Sequence, residues 1–343
     1  MDSLSQIALG AAMGELATGR KAGNKAMFWG AVGGTIPDLD VLGAPFLDPI
    51  SNLLFHRGFT HSFWFAFVMA PVLGYLLYYY YRNKAPNVSL IDWIWLFFLA
   101  LFTHPILDCF TTWGTQYFTP FSDYRVAFNT VFVVDPSYTV PFIICLGLAA
   151  TLHRNRPLRK HLNYLGIGLS CGYILFTVVN KHFVDRKFYA AMERRNIAQY
   201  EFMSAPTPLN NILWHATVCG KDSIWIGYYS LFDRDDQIDF ESIPRNLEWA
   251  KPYENIRAYK VLKYVSKDFF AIDKSDSSLV FYDLRFGLID GWNRESDEIK
   301  LPFHWEILLE KDEEGEHIVI QKRPDFKITG KMWRDFYRRV KGV

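Results

Sequence analysis

Residues 93–108 read Trp-Ile-Trp-Leu-Phe-Phe-Leu-Ala-Leu-Phe-Thr-His-Pro-Ile-Leu-Asp. A run this apolar belongs in a bilayer or a deep core, yet it closes with a histidine and an aspartate. An ionisable group in such a setting is expensive and usually has a task. His104 and Asp108 are four apart, so on a helix they share one face one turn apart. That suits two ligands of one metal centre, and equally a core histidine bonded to a neighbouring aspartate. Pro105 between them removes a backbone hydrogen bond and is expected to kink the helix.

Two further polar insertions lie upstream in apolar surroundings. Pro37-Asp38-Leu39-Asp40 ends a short apolar segment, and a turn there can aim both carboxylates the same way, to bridge ions or to act as a base. Ordinary turn chemistry reads the same way. His56-Arg57-Gly58-Phe59-Thr60-His61 offers two imidazoles around an arginine. Arg57 would hold an anionic substrate group, with Thr60 beside it; the alternative is a basic loop touching lipid headgroups. Imidazoles plus carboxylates are the ligand set of zinc, with manganese also suited. His56, His61, His104, Asp108, Asp38 and Asp40 are therefore the candidate ligands. Downstream, Gln116 and Arg125 are candidates for substrate binding in an otherwise ordinary polar loop. Asp135 is a candidate carboxylate behind the ligands, and Asp2 serves the dipole of the first helix.

The rest of the chain divides sharply. Residues 1–180 carry 11 Lys/Arg and 9 Asp/Glu, whereas residues 181–343 carry 26 and 27, so the front is built for an apolar solvent and the back for water. Apolar segments at 63–81, 93–107, 131–152 and 162–179 are candidate spans, some short for the roughly 20 residues needed. Short helices at 3–18 and 24–36 precede them, the first carrying small residues that permit close helix packing. Tyr78–Tyr81 followed by Arg82 resembles an interfacial belt and its anchor. Basic residues after the first and third spans place those connections in the cytoplasm, and the loop at 111–130 and the C-terminal half outside. Lys181, Arg186, Lys187, Arg194 and Arg195 run against that orientation.

From about residue 196 the texture changes. Pro206 and Pro208 suggest a linker, followed by period-two apolar runs at 212–218, 223–231, 269–272, 279–284, 305–309 and 317–321, then a helix at 330–340. Such runs with polar turns indicate an antiparallel sheet. The fold class is thus an α-helical integral membrane domain (1–195) followed by a mainly β, α+β water-facing domain (196–343). His215, Asp222, Asp235, Asp236 and His317 show no ligand spacing and read as surface residues. A net charge of +1 argues against nucleic acid as the partner. Four cysteines without a CxxC pair indicate neither a zinc knuckle nor a disulfide framework. No basic region leads a clean apolar run at the N-terminus, so no cleaved signal peptide is expected.

The ordered set Asp2-Ser3-Leu4-Ser5-Gln6, Pro37–Asp40, His56–Ser62 and His104–Asp108 resembles the YdjM-type family of membrane-bound proteins regarded as metal-dependent hydrolases. The resemblance covers about residues 1–180, with Gln6 standing where many relatives carry a histidine. The family is distantly similar to zinc-dependent phospholipase C and single-strand nucleases, in which an HxxxD pair on a helix recurs; His104 and Asp108 match that pair. What this implies is a multi-pass inner-membrane protein with His56, His61, His104, Asp108 and one or both of Asp38 and Asp40 as ligands. The expected activity is hydrolysis of a phosphate ester, on a small-molecule or lipid phosphate. Amide or ester hydrolysis is one alternative; a non-enzymatic metal-binding, transport or regulatory role is another.

Overall fold

The computed structural model describes residues 1–343 apart from 199–200, 293–300, 302, 312–314 and 323–328. The chain forms two compact units: Met1–Gly43, Phe55–Val178 and Pro208–Asn210 in the first; Ala44–Leu54, Val179–Thr207 and Asn211–Val343 in the second.

The first unit is helical. Asp2 caps α1 (Ser3–Ala22) by accepting from the Leu4 and Ser5 amides. A left-handed Gly23 turns the chain directly into α2 (Asn24–Thr35). These two helices touch backbone to backbone: a Cβ on Gly14 would lie 2.2 Å from the Ala26 carbonyl oxygen, and one on Gly10 2.3 Å from that of Gly30. The chain then passes through a 3-10 turn (Pro37–Phe46) and the short α3 (Pro49–Phe55), which belongs to the second unit up to Leu54, and returns to the first unit for a second turn at Phe59–His61.

Ser62 caps α4 (Phe63–Tyr81), and a Ser89–Asp92 capping box starts α5 (Leu90–Asp108). α5 is central, burying Trp93, Leu96, Phe97, Ala100 and Leu101 against α2 and α4, and it runs unbroken through Pro105. α6 (Pro136–Thr151) and α7 (Pro157–Arg194) follow, α7 starting in the first unit and ending in the second.

α4, α5 and α7 are long and apolar enough to cross a membrane, whereas α6 is shorter. The apolar segment expected at 131–152 becomes a helix only from Pro136, because Asp135 caps it. α4 leaves Phe67, Val68 and Leu76 exposed, and α7 leaves Leu165, Leu175 and Phe176. Faces of that kind suit a lipid solvent that has no use for polar groups. Arg82 and Lys84 lie over the rings of Tyr79 and Tyr80, at 4.3 and 4.0 Å, as expected for interfacial anchors.

The second unit holds two four-stranded antiparallel sheets. One runs in the order β1 (Glu201–Pro206), β2 (Leu213–Cys219), β3 (Ser223–Ser230), β4 (Phe240–Pro244). The other follows α8 (Arg257–Ser266) in the order β5 (Phe270–Lys274), β6 (Ser278–Asp283), β7 (His304–Lys311), β8 (His317–Lys322), and α9 (Gly330–Val340) closes the chain. Leu213, Ile226, Ala271, Leu284, Phe336 and Val340 share one core. Pro206 is the last residue of β1, paired with Trp214, so the segment expected as a linker begins inside a sheet.

His215 corrects a second expectation. It is buried rather than on the surface, its Nε2 donating to the Arg285 carbonyl at 3.2 Å. β2 is buried at every position, so its period-two pattern exposes no face. Asp222, Asp235 and Asp236 are exposed as expected, and His317 is half-buried.

Candidate metal centre

Four segments of the first unit meet where α1 and α4 begin and α2 and α5 end. Asp38 comes from the 3-10 turn after α2, His61 from the turn before α4, and His104 and Asp108 from the last turns of α5. One ligand atom from each lies within 4.8 Å of all the others. His61 Nε2 stands 3.2 Å from His104 Nε2, 3.3 Å from Asp38 Oδ1 and 3.4 Å from Asp108 Oδ2. His104 Nε2 stands 3.5 Å from Asp38 Oδ1 and 3.4 Å from Asp108 Oδ2. A tetrahedral ion with bonds of about 2.0–2.2 Å separates its ligand atoms by roughly 3.3–3.6 Å. The four atoms therefore outline a coordination shell.

The outer partners of the imidazoles set the direction of the inner nitrogens. His104 Nδ1 is 2.7 Å from the Gly34 carbonyl oxygen, which only accepts, so Nδ1 holds the proton. His61 Nδ1 faces Thr60 Oγ1 at 3.1 Å and Asp40 Oδ2 at 3.5 Å, a hydroxyl and a carboxylate. In these neutral forms both Nε2 atoms present lone pairs to each other and to two carboxylates. That arrangement repels itself unless a cation, either a proton on one imidazole or a metal ion, lies between.

Asp108 gives the same indication. Its Oδ1 receives Gln6 Nε2 at 3.1 Å and Arg57 Nη2 at 3.3 Å, and the Met1 amino group. Its buried Oδ2, turned toward the imidazoles, has no hydrogen-bond partner. A buried oxygen left unsatisfied costs about 1–3 kcal/mol, which a bound cation would offset. The donor set and its geometry fit a divalent ion.

The other sequence-predicted residues take different places. In a 3-10 turn, residues two apart point about 120° away from each other, so Asp38 and Asp40 diverge instead of pointing together. Asp40 lies behind His61, outside the group of four. It accepts His56 Nδ1 at 3.1 Å and the Arg57 amide at 2.9 Å. His56 is likewise outside the group, its side chain 28 % exposed, with its ring edge against Trp113 and His61.

Arg57 is buried with a left-handed backbone (φ 57°). Its guanidinium braces Asp108 and donates to Thr111 Oγ1 at 3.0 Å. Arg125 is buried and donates to the His56 carbonyl at 3.2 Å. The backbone amide of Gln116 donates to the Arg57 carbonyl at 3.0 Å. Asp135 caps α6 and accepts the Tyr173 hydroxyl. Gln6, noted in the sequence only as a departure from the family pattern, turns out to hold Asp108 in place; nothing in its spacing pointed to that contact.

Burial pushes the Asp38 carboxyl up, but the His104 and His61 imidazoles against it hold it well below the usual carboxylate range. Burial also pushes Asp40 up, and His56 pulls it lower than an ordinary aspartate. Both carboxylates are thus ionised at neutral pH. Of the four candidate ligands only Asp38 has an exposed side chain, at 23 %; the other three are at 0 %.

The YdjM inner membrane protein family matches residues 1–184, the whole region that builds this centre. The chain is similar to protein YfhP of Bacillus subtilis (strain 168), 29 % identical over 161 residues, 44 % of this chain and 45 % of that protein. It is also similar to inner membrane protein YbcI of Escherichia coli (strain K12), 37 % identical over 102 residues, 29 % of this chain and 56 % of that one. The matches thus span about half the length of these relatives. No solved structure matches. With the match covering more than half of its length and its apolar spans in place, this chain is an integral membrane protein belonging to the YdjM inner membrane protein family.

Proposed function

We propose that the chain is a metal-dependent hydrolase whose site is Asp38, His61, His104 and Asp108, and that it cleaves a phosphate ester. The observation that carries the reading is the set of four ligand atoms within 4.8 Å of one another, one of them an unpartnered buried carboxylate oxygen. Zinc suits two imidazoles and two carboxylates best, with manganese next. A bound ion supplies a water of lowered pKa and neutralises charge on phosphoryl oxygens. The phosphate ester rests on the resemblance of His104 and Asp108 to the helix pair of the zinc phosphodiesterases.

The chain's own residues divide the remaining work. Thr60 Oγ1, itself donating to Asp40, accepts the Nδ1 proton of His61 and so aims Nε2 inward; partners of this kind commonly contribute about 10–100-fold in metal affinity. Arg57 and Gln6 fix the rotation of Asp108. His56, with Nδ1 on Asp40 and its ring partly exposed, is placed to move a proton to or from a leaving group through Nε2.

Metal content of the detergent-purified chain, measured by mass spectrometry, tests the reading. Stoichiometric zinc or manganese is expected in the wild type and in His56→Gln, reduced occupancy in Asp40→Asn, and none in folded His104→Ala or Asp108→Ala. Against a phosphodiester panel, His56→Gln should lose about 10²–10⁴-fold of turnover. No metal after reconstitution with excess ion overturns the proposal. Bound metal with hydrolysis of amides or carboxylic esters alone moves the substrate class, and metal without any hydrolysis leaves an ion-binding or regulatory protein.

A further inference from the structure

The surroundings of the exposed ligand carry the reading one step further. His61 stands immediately before Ser62, the cap of α4, and His104 and Asp108 occupy the last turns of α5. Both helices are candidate spans, so their ends set the site at the depth of the bilayer interface. Asp38 is the ligand with an open side, and its neighbours Leu39 and Leu42 are exposed at 48 % and 65 %. The loop from Thr115 to Phe121 is stitched to the segment that leads into α4: the Gln116 amide donates to the Arg57 carbonyl and the Phe63 amide to the Tyr117 carbonyl. That loop lifts Phe118 and Phe121, exposed at 46 % and 75 %, beside the start of α4, where Phe121 lies 5.6 Å from Trp64 and Phe118 6.2 Å from Phe63. Exposed apolar side chains therefore stand at two places around the site, beside Asp38 and beside the start of α4.

The two arginines placed beside the site are withheld from solvent. Arg57 and Arg125 are both buried and bonded within the unit. A small phosphate ester arriving from water would find apolar side chains instead of an electrostatic funnel. An amphiphile anchored in the bilayer needs no funnel, because its tail partitions against these side chains and its head already sits at their level.

We infer that the substrate is a membrane-resident amphiphile, a phosphate ester carried on a long apolar chain, entering along the Leu39–Leu42 and Phe118–Phe121 edges with its head at Asp38. The ester chemistry rests on the hydrolase reading; the entry route rests on the exposed apolar edge alone.

The test uses the full chain, zinc-loaded, in zwitterionic nanodiscs, and follows transfer of zinc to a chromogenic chelator. Three probes are compared: a non-cleavable hexadecyl phosphonate in the disc, its butyl homologue in water, and inorganic phosphate. The hexadecyl probe is expected to slow zinc transfer about tenfold relative to the other two at equal concentration, a difference of about 1.4 kcal/mol. Leu42→Ser and Phe121→Ser should erase that difference. Equal protection by the butyl probe or inorganic phosphate, or undiminished protection in both variants, overturns the inference and leaves the hydrolase reading standing. Failure of the metal reading shows separately, as a protein with no zinc to lose. The edge is then judged by a fluorophore on Phe121→Cys in a Cys171→Ser background. Quenching by doxyl-labelled lipid supports the route, and quenching by aqueous iodide alone overturns it.

Discussion

Asp108 divides one carboxylate between two tasks. Oδ1 is held by Gln6 and Arg57 while Oδ2 is left for the centre. His215, in the second unit, shows the opposite use of burial. Burial lowers it to about 4 from an ordinary 6.5, with Lys181 adding to the fall and the Arg285 carbonyl opposing it. Between those two values the unfolded chain binds a proton that the folded chain refuses. Stability is therefore fully present above about pH 6.5 and declines as the pH drops toward 4, by about 3 kcal/mol in all. Urea unfolding of the full chain at pH 7 and pH 4.5 should show that loss, and His215→Gln should flatten it. An unchanged slope in the variant would assign the acid sensitivity to other groups. At this scale the residue types of the candidate centre were legible, and so was the His104–Asp108 pair, because helical spacing fixes it. The separation of Asp40 and His56 from the ligands was not, since a 3-10 turn leaves no periodic trace over four residues.

Among elements, α1 and α2 are the pair whose contact admits least change. Their backbones meet at Gly10, Gly14, Gly30 and Gly34, and the same two helices supply Gln6 to Asp108 and the Gly34 carbonyl to His104. Gly14→Leu should separate them, costing about 1–3 kcal/mol or more and lowering metal retention with it. Gly168→Ala, where the added methyl meets nothing within 4 Å, should do neither. Melting in detergent with metal analysis of both variants decides this; equal melting would mean that the close approach is dispensable.

Small residues announced that contact in the sequence, and the long apolar runs announced the spans. α8 was missed, although Ala258, Tyr259, Leu262 and Val265, its buried positions, stand at helical spacing. β1 and β4 were missed too, because Glu201–Pro206 and Phe240–Pro244 carry little apolar patterning of their own and take their form from β2 and β3.

Across the first unit, charge is sorted by end. The α1–α2 turn holds Arg20, Lys21 and Lys25, the α4–α5 loop Arg82 and Lys84, and the α6–α7 turn Arg154, Arg156, Arg159 and Lys160. Lys21 pairs with Asp92 at the start of α5, Arg154 donates to the Lys21 carbonyl and Arg159 to Asn24, so these turns lie together. The candidate metal centre lies at the other ends of the same helices.

The positive-inside rule then predicts cytoplasmic basic turns and an extracytoplasmic metal centre. The cations after residue 180 that oppose this are in part neutralised within the second unit, Lys181 by Asp185, Lys187 by Asp236 and Arg195 by Asp239. In intact cells an impermeant thiol reagent should label Ser122→Cys and spare Lys84→Cys; the reverse pattern would invert the assignment.

The spread of the four candidate ligands along the chain also orders events during biosynthesis. A nascent chain halted after His61 contains only half of them, and the last two arrive at the far end of α5. On the metal reading proposed above, an ion would be captured only once the hairpin of α4 and α5 has been threaded and closed. Metallation would then be a late step, a seal on completed insertion.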